Sequence, residues 1–148
     1  MKKLLVSIAV MALCFTVCNA QKVKNESAEQ VALMFMNALI DLDYDIINEY
    51  AAEELLDEAT MEELTTNKDV NELRNANKRY VLKIFKVELF NTDNKNDQFN
   101  QPFDADEASK ALVWMGQYSR SGRSTASGSG RVSLTKEDSI WKVEGFNF

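Results

Sequence analysis

The chain has 148 residues, a formal net charge of −6, two cysteines and no histidine. The missing histidine excludes Ser-His-Asp and Cys-His catalysis and every imidazole-based metal site. The acidic balance argues against nucleic acid and anionic membrane surfaces as partners.

Residues 1–20 have the composition of a signal peptide. Lys2 and Lys3 form a positive start, Leu4 to Val17 is an apolar run too short for a membrane span, and Cys18-Asn19-Ala20 places small residues before a cleavage point between Ala20 and Gln21. The expected location is secreted, periplasmic or at the cell surface. Lipidation at Cys18 is the alternative, and it fits less well because Val17 is not small. Both cysteines, Cys14 and Cys18, fall in this stretch, so the remainder has no disulfide and depends on packing. Residues 21–26 read as a flexible leader, and 27–148 as one domain of a length that buries a real core.

The stretch Ser27 to Leu42 organises that domain. Val31, Met34, Phe35, Ala38, Leu39 and Leu42 recur at helical spacing, and Ser27 with Gln30 has the form of a capping box. Asp43 is placed to cap a second helix, Tyr44 to Ala52. Glu53 to Thr66 reads as a further helix with its acids outward, and Asp69 to Lys78 as a polar helical turn or two. From Tyr80 the period changes to two. Tyr80 to Phe90 is apolar on both faces at its centre, which predicts a strand covered on both sides for part of its length. Strands follow at Lys110–Ser119, Ser129–Lys136 and Ile140–Phe148, with Glu137-Asp138-Ser139 as a tight turn. On the second strand, Leu112, Trp114, Gly116 and Tyr118 share one face, and Ala111, Val113, Met115 and Gln117 the other. Helices followed by four antiparallel strands define an α+β fold with the helices gathered on one face of a curled sheet.

Two segments carry a family resemblance. The start (Ser27 to Phe35, Ala38-Leu39, Asp43-Tyr44-Asp45) and the final hairpin (Val132 to Val143, with Lys136-Glu137-Asp138-Ser139 before Trp141-Lys142-Val143) resemble small secreted bacterial proteins of unknown function. Those proteins belong to the nuclear-transport-factor-2-like, or cystatin-like, superfamily. The resemblance implies a cone-shaped sheet around the first helix, with a pocket at its mouth. Some members are isomerases, dehydratases or cyclases; others bind small molecules or peptides, or dimerise through the sheet.

Five aromatics, Tyr50, Trp114, Tyr118, Trp141 and Phe146, are the candidate pocket lining, although strand spacing also suits them to a core. Acid–base catalysis would draw on Asp41 or Asp43 with Tyr50 or Tyr118, and Glu88 is the carboxylate most nearly alone on an apolar strand. Asn91 to Asp97, with Asp104 and Asp106, has alternating oxygens like a calcium loop, but Lys95 occupies a ligand place and the loop glycine is missing. The tip Arg120 to Gly128, with Arg131, offers amides and three arginines to an anion, or is a solvated turn. Asn25-Glu26-Ser27 and Asp138-Ser139-Ile140 match short glycosylation triplets, a weak signal.

These readings combine into a non-catalytic envelope binding module without metal or cofactor. It would hold a small apolar ligand in the pocket or a protein partner on the sheet face, with a homodimer through that face as one form. An isomerase or dehydratase using a buried carboxylate and tyrosine is the alternative from another class, and a purely structural envelope component is a third.

Overall fold

The computed structural model describes residues 26–91, 106–121 and 128–148. The signal-peptide segment, the cleavage point at Ala20 and Gln21, most of the calcium-like loop and residues 122–127 of the hairpin tip lie outside them.

Helix α1 spans Ala28–Asp41. Its start is the capping box: the Gln30 amide donates to Ser27 Oγ at 3.3 Å, and the Ser27 amide donates to Gln30 Oε1 at 2.9 Å. Its end is a left-handed residue, Leu42, at φ 61°, after which the Asp43 amide donates to the Ala38 carbonyl at 2.9 Å. Asp43 then caps α2, Tyr44–Tyr50, through the Ile46 amide.

The continuous helix expected over Glu53 to Thr66 is two helices, α3 (Glu53–Glu58) and α4 (Met61–Thr66). The break lies at Ala59 and Thr60, where Thr60 and Glu63 form a second capping box. A box of this kind starts a helix by fixing its first residue in extended backbone, and Thr60 has φ −68° and ψ 159°. Helix α5, Lys68–Ala76, completes the layer. Arg74 on α5 fastens it: Nε donates to the Ile40 carbonyl at 3.0 Å, and Nη2 donates to the carbonyls of Leu39 at 2.7 Å and Thr65 at 3.0 Å. The carbonyl end of α1 carries no basic residue of its own, so this guanidinium supplies the cation that end favours.

Strands β1 (Tyr80–Phe90), β2 (Lys110–Ser119), β3 (Ser129–Glu137) and β4 (Ile140–Asn147) form an open antiparallel sheet in that order. Asp138 and Ser139, at φ 49° and 67°, make the two-residue turn between β3 and β4, the mirror-image geometry that suits the right-handed twist of a hairpin. The β4 edge is covered by the helical half: Ala51 bridges Val143 in parallel, and the Ala52 amide donates to the Val143 carbonyl at 2.8 Å.

Helix α1 lies across one face of the sheet and touches all four strands. Val31, Ala32, Phe35, Met36 and Leu39 are fully buried there, as are Val113, Met115, Val132, Leu134 and Val143 opposite. Each such larger apolar side chain stabilises the fold by about 1.5–3 kcal/mol relative to exposure. Irregularities in two strands set which side chains face inward. On β1 the register shifts between Ile84 and Lys86, so Leu82 and Ile84 point inward before it and Val87 and Leu89 after it. Phe85, at the shift, is 52% exposed, which corrects the expectation that the middle of this strand is covered on both sides. On β4 the shift at Ser133/Leu134 leaves Glu144 as the extra residue, so Trp141, Val143 and Phe146 all reach the core side despite their mixed parity.

Candidate functional site

The five aromatics proposed as one pocket lie on two sides of the sheet. Tyr50 and Trp141 are buried on the core side, and Phe146 packs on the core with its ring centroid 6.3 Å from that of Phe35. Trp114 and Tyr118 stand on the outer face, turned away from α1, because they alternate along β2 with the buried Val113 and Met115. The structure therefore brings together two of the five on a surface and builds the other three into the core.

The outer face has its own arrangement. In register, Lys86 on β1 lies opposite Trp114 on β2, which lies opposite Arg131 on β3. Lys86 Nζ and the Arg131 guanidinium carbon each sit 5.8 Å from the centre of the Trp114 ring. Further along, Lys83 Nζ lies 5.6 Å from the centre of the Tyr118 ring. These are cation–π distances, at which the ring quadrupole attracts the charge. Lys86 also pairs with Glu88 at 2.5 Å. That contact holds the Glu88 carboxyl below the usual carboxylate range. Glu88 is the carboxylate most nearly alone on an apolar strand, and a general base calls for a shift upward.

At the opposite corner of this face, α3 and the ends of β2 and β3 enclose a cleft of about 380 Å³ lined by Glu53, Glu54, Asp57, Lys110, Thr135 and Glu137. Lys110 is paired with Glu144, and the Glu53 amide donates to Glu137 Oε1 at 3.4 Å. No group of three or more metal-ligating side chains converges among the described residues.

Two of the remaining sequence candidates take structural positions. Asp43 serves as the cap of α2. Arg120 Nε donates to the Asn77 carbonyl at 2.9 Å and its Nη2 to Asn77 Oδ1 at 3.0 Å, joining the end of β2 to the end of α5. Of the two tip-associated arginines among the described residues, Arg131 faces the sheet surface; Arg123 lies outside them. Lys83 and Lys86 were missed as site residues. Their alternation on β1 is visible in the sequence, but only the register, set by the shift near Phe85, places Lys86 beside Trp114.

No family model matches the chain, and no curated protein matches it. Among solved structures it is similar to the solution structure of a SEC-C motif containing protein from Rhodopseudomonas palustris, at 17% identity and a TM-score of 0.45, with 82% of this chain and 80% of that chain covered. The nuclear-transport-factor-2-like resemblance is corrected: no family model bears it out, and the strands form an open sheet of four. The physical reason is the nature of the residues that carried the resemblance. A capping box, a helical stripe and an acidic two-residue turn are local solutions that unrelated α+β chains share. No helix among the described residues is long and apolar enough to cross a membrane.

Proposed function

We propose that this protein is a non-catalytic binding module that docks a protein partner on the outer face of its sheet, and that it works in the cell envelope. The observation that carries the reading is the cross-strand row Lys86–Trp114–Arg131, with Lys83 over Tyr118 beside it. Tryptophan, tyrosine and arginine are the residues that dominate protein interfaces, because each offers a large contact area with a polar edge. The core side favours a protein partner over a small apolar ligand, since α1 fills the space against the sheet with fully buried side chains. The envelope location rests on the sequence of residues 1–20.

Site-directed photo-crosslinking in cells of the natural source tests this. A photoreactive residue at Ser133, on the outer face between Leu112 and Gly145, should give a discrete protein adduct. The same residue at Glu72, exposed on α5, should not. Adducts of equal yield from both positions, or none from Ser133, would refute the docking face.

A further inference from the structure

We infer that the segment docked on the outer face is an acidic, extended polypeptide; this rests on the reading of that face as a docking surface. Among the described residues, the half of the face remote from α3 carries Lys83, Lys86 and Arg131 against a single carboxylate, Glu88. Lys86 is engaged by Glu88, whereas Lys83 and Arg131 meet no carboxylate of the described residues. The sign of this patch runs against the rest of the molecule: the chain is −6 overall, and residues 26–76 hold fourteen acids and two bases.

The spacing sets what fits. Arg131 is opposite Trp114, and Lys83 is opposite Gly116, two residues further along β2. Two strand spacings across and two residues along separate the two cations by on the order of 12 Å. An extended chain covers that distance in about four residues. Two carboxylates about four residues apart would each reach one cation; the Trp114 ring, beside Arg131, would take the apolar part of the segment there, and the Tyr118 ring the part just beyond Lys83.

Charge also decides against a polyanionic surface as the occupant. A membrane or a nucleic acid would face the whole acidic molecule, while a short peptide senses the patch within a screening length of about 8 Å. The patch attracts; the molecule repels.

The test uses the full chain and hexaglutamate, with binding followed by amide shifts and by tryptophan fluorescence at about 0.15 M salt, where the screening length is about 8 Å. Saturable binding that maps to β1–β3 is expected. It should weaken at least tenfold in a Lys83→Glu/Arg131→Glu variant and be lost at 0.5 M salt. Lys68→Glu on α5 should leave it unchanged, and hexalysine should not bind this face. Circular dichroism and the thermal midpoint of the double variant check that its fold is intact, and Lys83→Gln/Arg131→Gln provides a milder version. Absence of binding, shifts on another surface, or equal affinity in the charge-reversed variant would overturn the inference, as would tighter binding to anionic vesicles than to the peptide. If hexaglutamate fails while the Ser133 adduct persists, the acidic chemistry falls and the docking face stands. If both fail, both readings fall.

Discussion

Replacing Arg74 by Met keeps most of the aliphatic stem and removes the guanidinium. Four hydrogen bonds go with it: to the carbonyls of Leu39, Ile40 and Thr65, and to Asn71 Oδ1 at 2.7 Å. Leu39 is fully buried, and Ile40 and Thr65 are nearly so, which limits the access of water to the three carbonyls left behind. A hydrogen bond to a charged group contributes about 1.5–3 kcal/mol, and bonds sharing one donor group are not additive. Loss of the whole fastening should therefore cost about 3 kcal/mol, a large part of the 5–15 kcal/mol typical of a domain. Arg74→Lys keeps the charge but not the fork, and should lose roughly half as much. The assay is urea unfolding followed by circular dichroism. The midpoint should fall in the order wild type, Lys, Met, with the slope unchanged. A cost below about 1 kcal/mol for Met would refute the reasoning, because it would mean that water satisfies those carbonyls as well as Arg74 does.

Three further outcomes follow from the geometry. Leu42→Gly relieves a left-handed backbone at a residue 42% exposed, and should stabilise the fold by about 0.5 kcal/mol after the entropy of the added glycine is counted; a lower thermal midpoint would contradict this. Gly130→Ala would set a Cβ 2.4 Å from the Asn147 carbonyl oxygen and from the Phe148 ring, so the last strand must move. The expected cost is about 1–3 kcal/mol, with faster amide exchange near Asn147; unchanged exchange would refute it. Lys86→Gln should let the Glu88 carboxyl rise toward its ordinary value, read by carboxyl-carbon NMR titration, with identical curves in both proteins as the refuting result. A lowered carboxylate contributes stability above its unfolded pKa, and that contribution is lost as pH falls through the folded one. The wild-type pair should thus lose its small contribution below about pH 4, and the variant should have none to lose.

The parts of the fold visible in the sequence are those set by near neighbours. Ser27 with Gln30 and Asp43 were legible as caps because a cap is a contact within three residues. The alternation of Ala111, Val113 and Met115 against Leu112, Trp114 and Tyr118 was legible because strand parity is local. The Thr60–Glu63 box carries the same signature as the first, yet the apolar members of the stretch around it, Leu55, Leu56, Ala59 and Leu64, suit one continuous helix and so hide the break. Trp141 and Phe146 cannot be placed on one face by parity, since the extra residue at Glu144 is imposed by pairing with β3. The row Lys86–Trp114–Arg131 is a property of three strands in register, so no single segment contains it.

The bridge from Ala51 and Ala52 to Val143 has a consequence for synthesis. The helical half comes off the ribosome first, and the strand that closes its edge lies near the end of the chain. At about 5–20 residues per second, the stripe of Val31, Phe35 and Leu39 waits several seconds for the sheet that covers it. During that interval the nascent segment 26–76 carries fourteen carboxylates against two bases, and mutual repulsion keeps such waiting chains from clustering. Like charge of that density opposes association of unfinished chains for as long as the apolar stripe is uncovered.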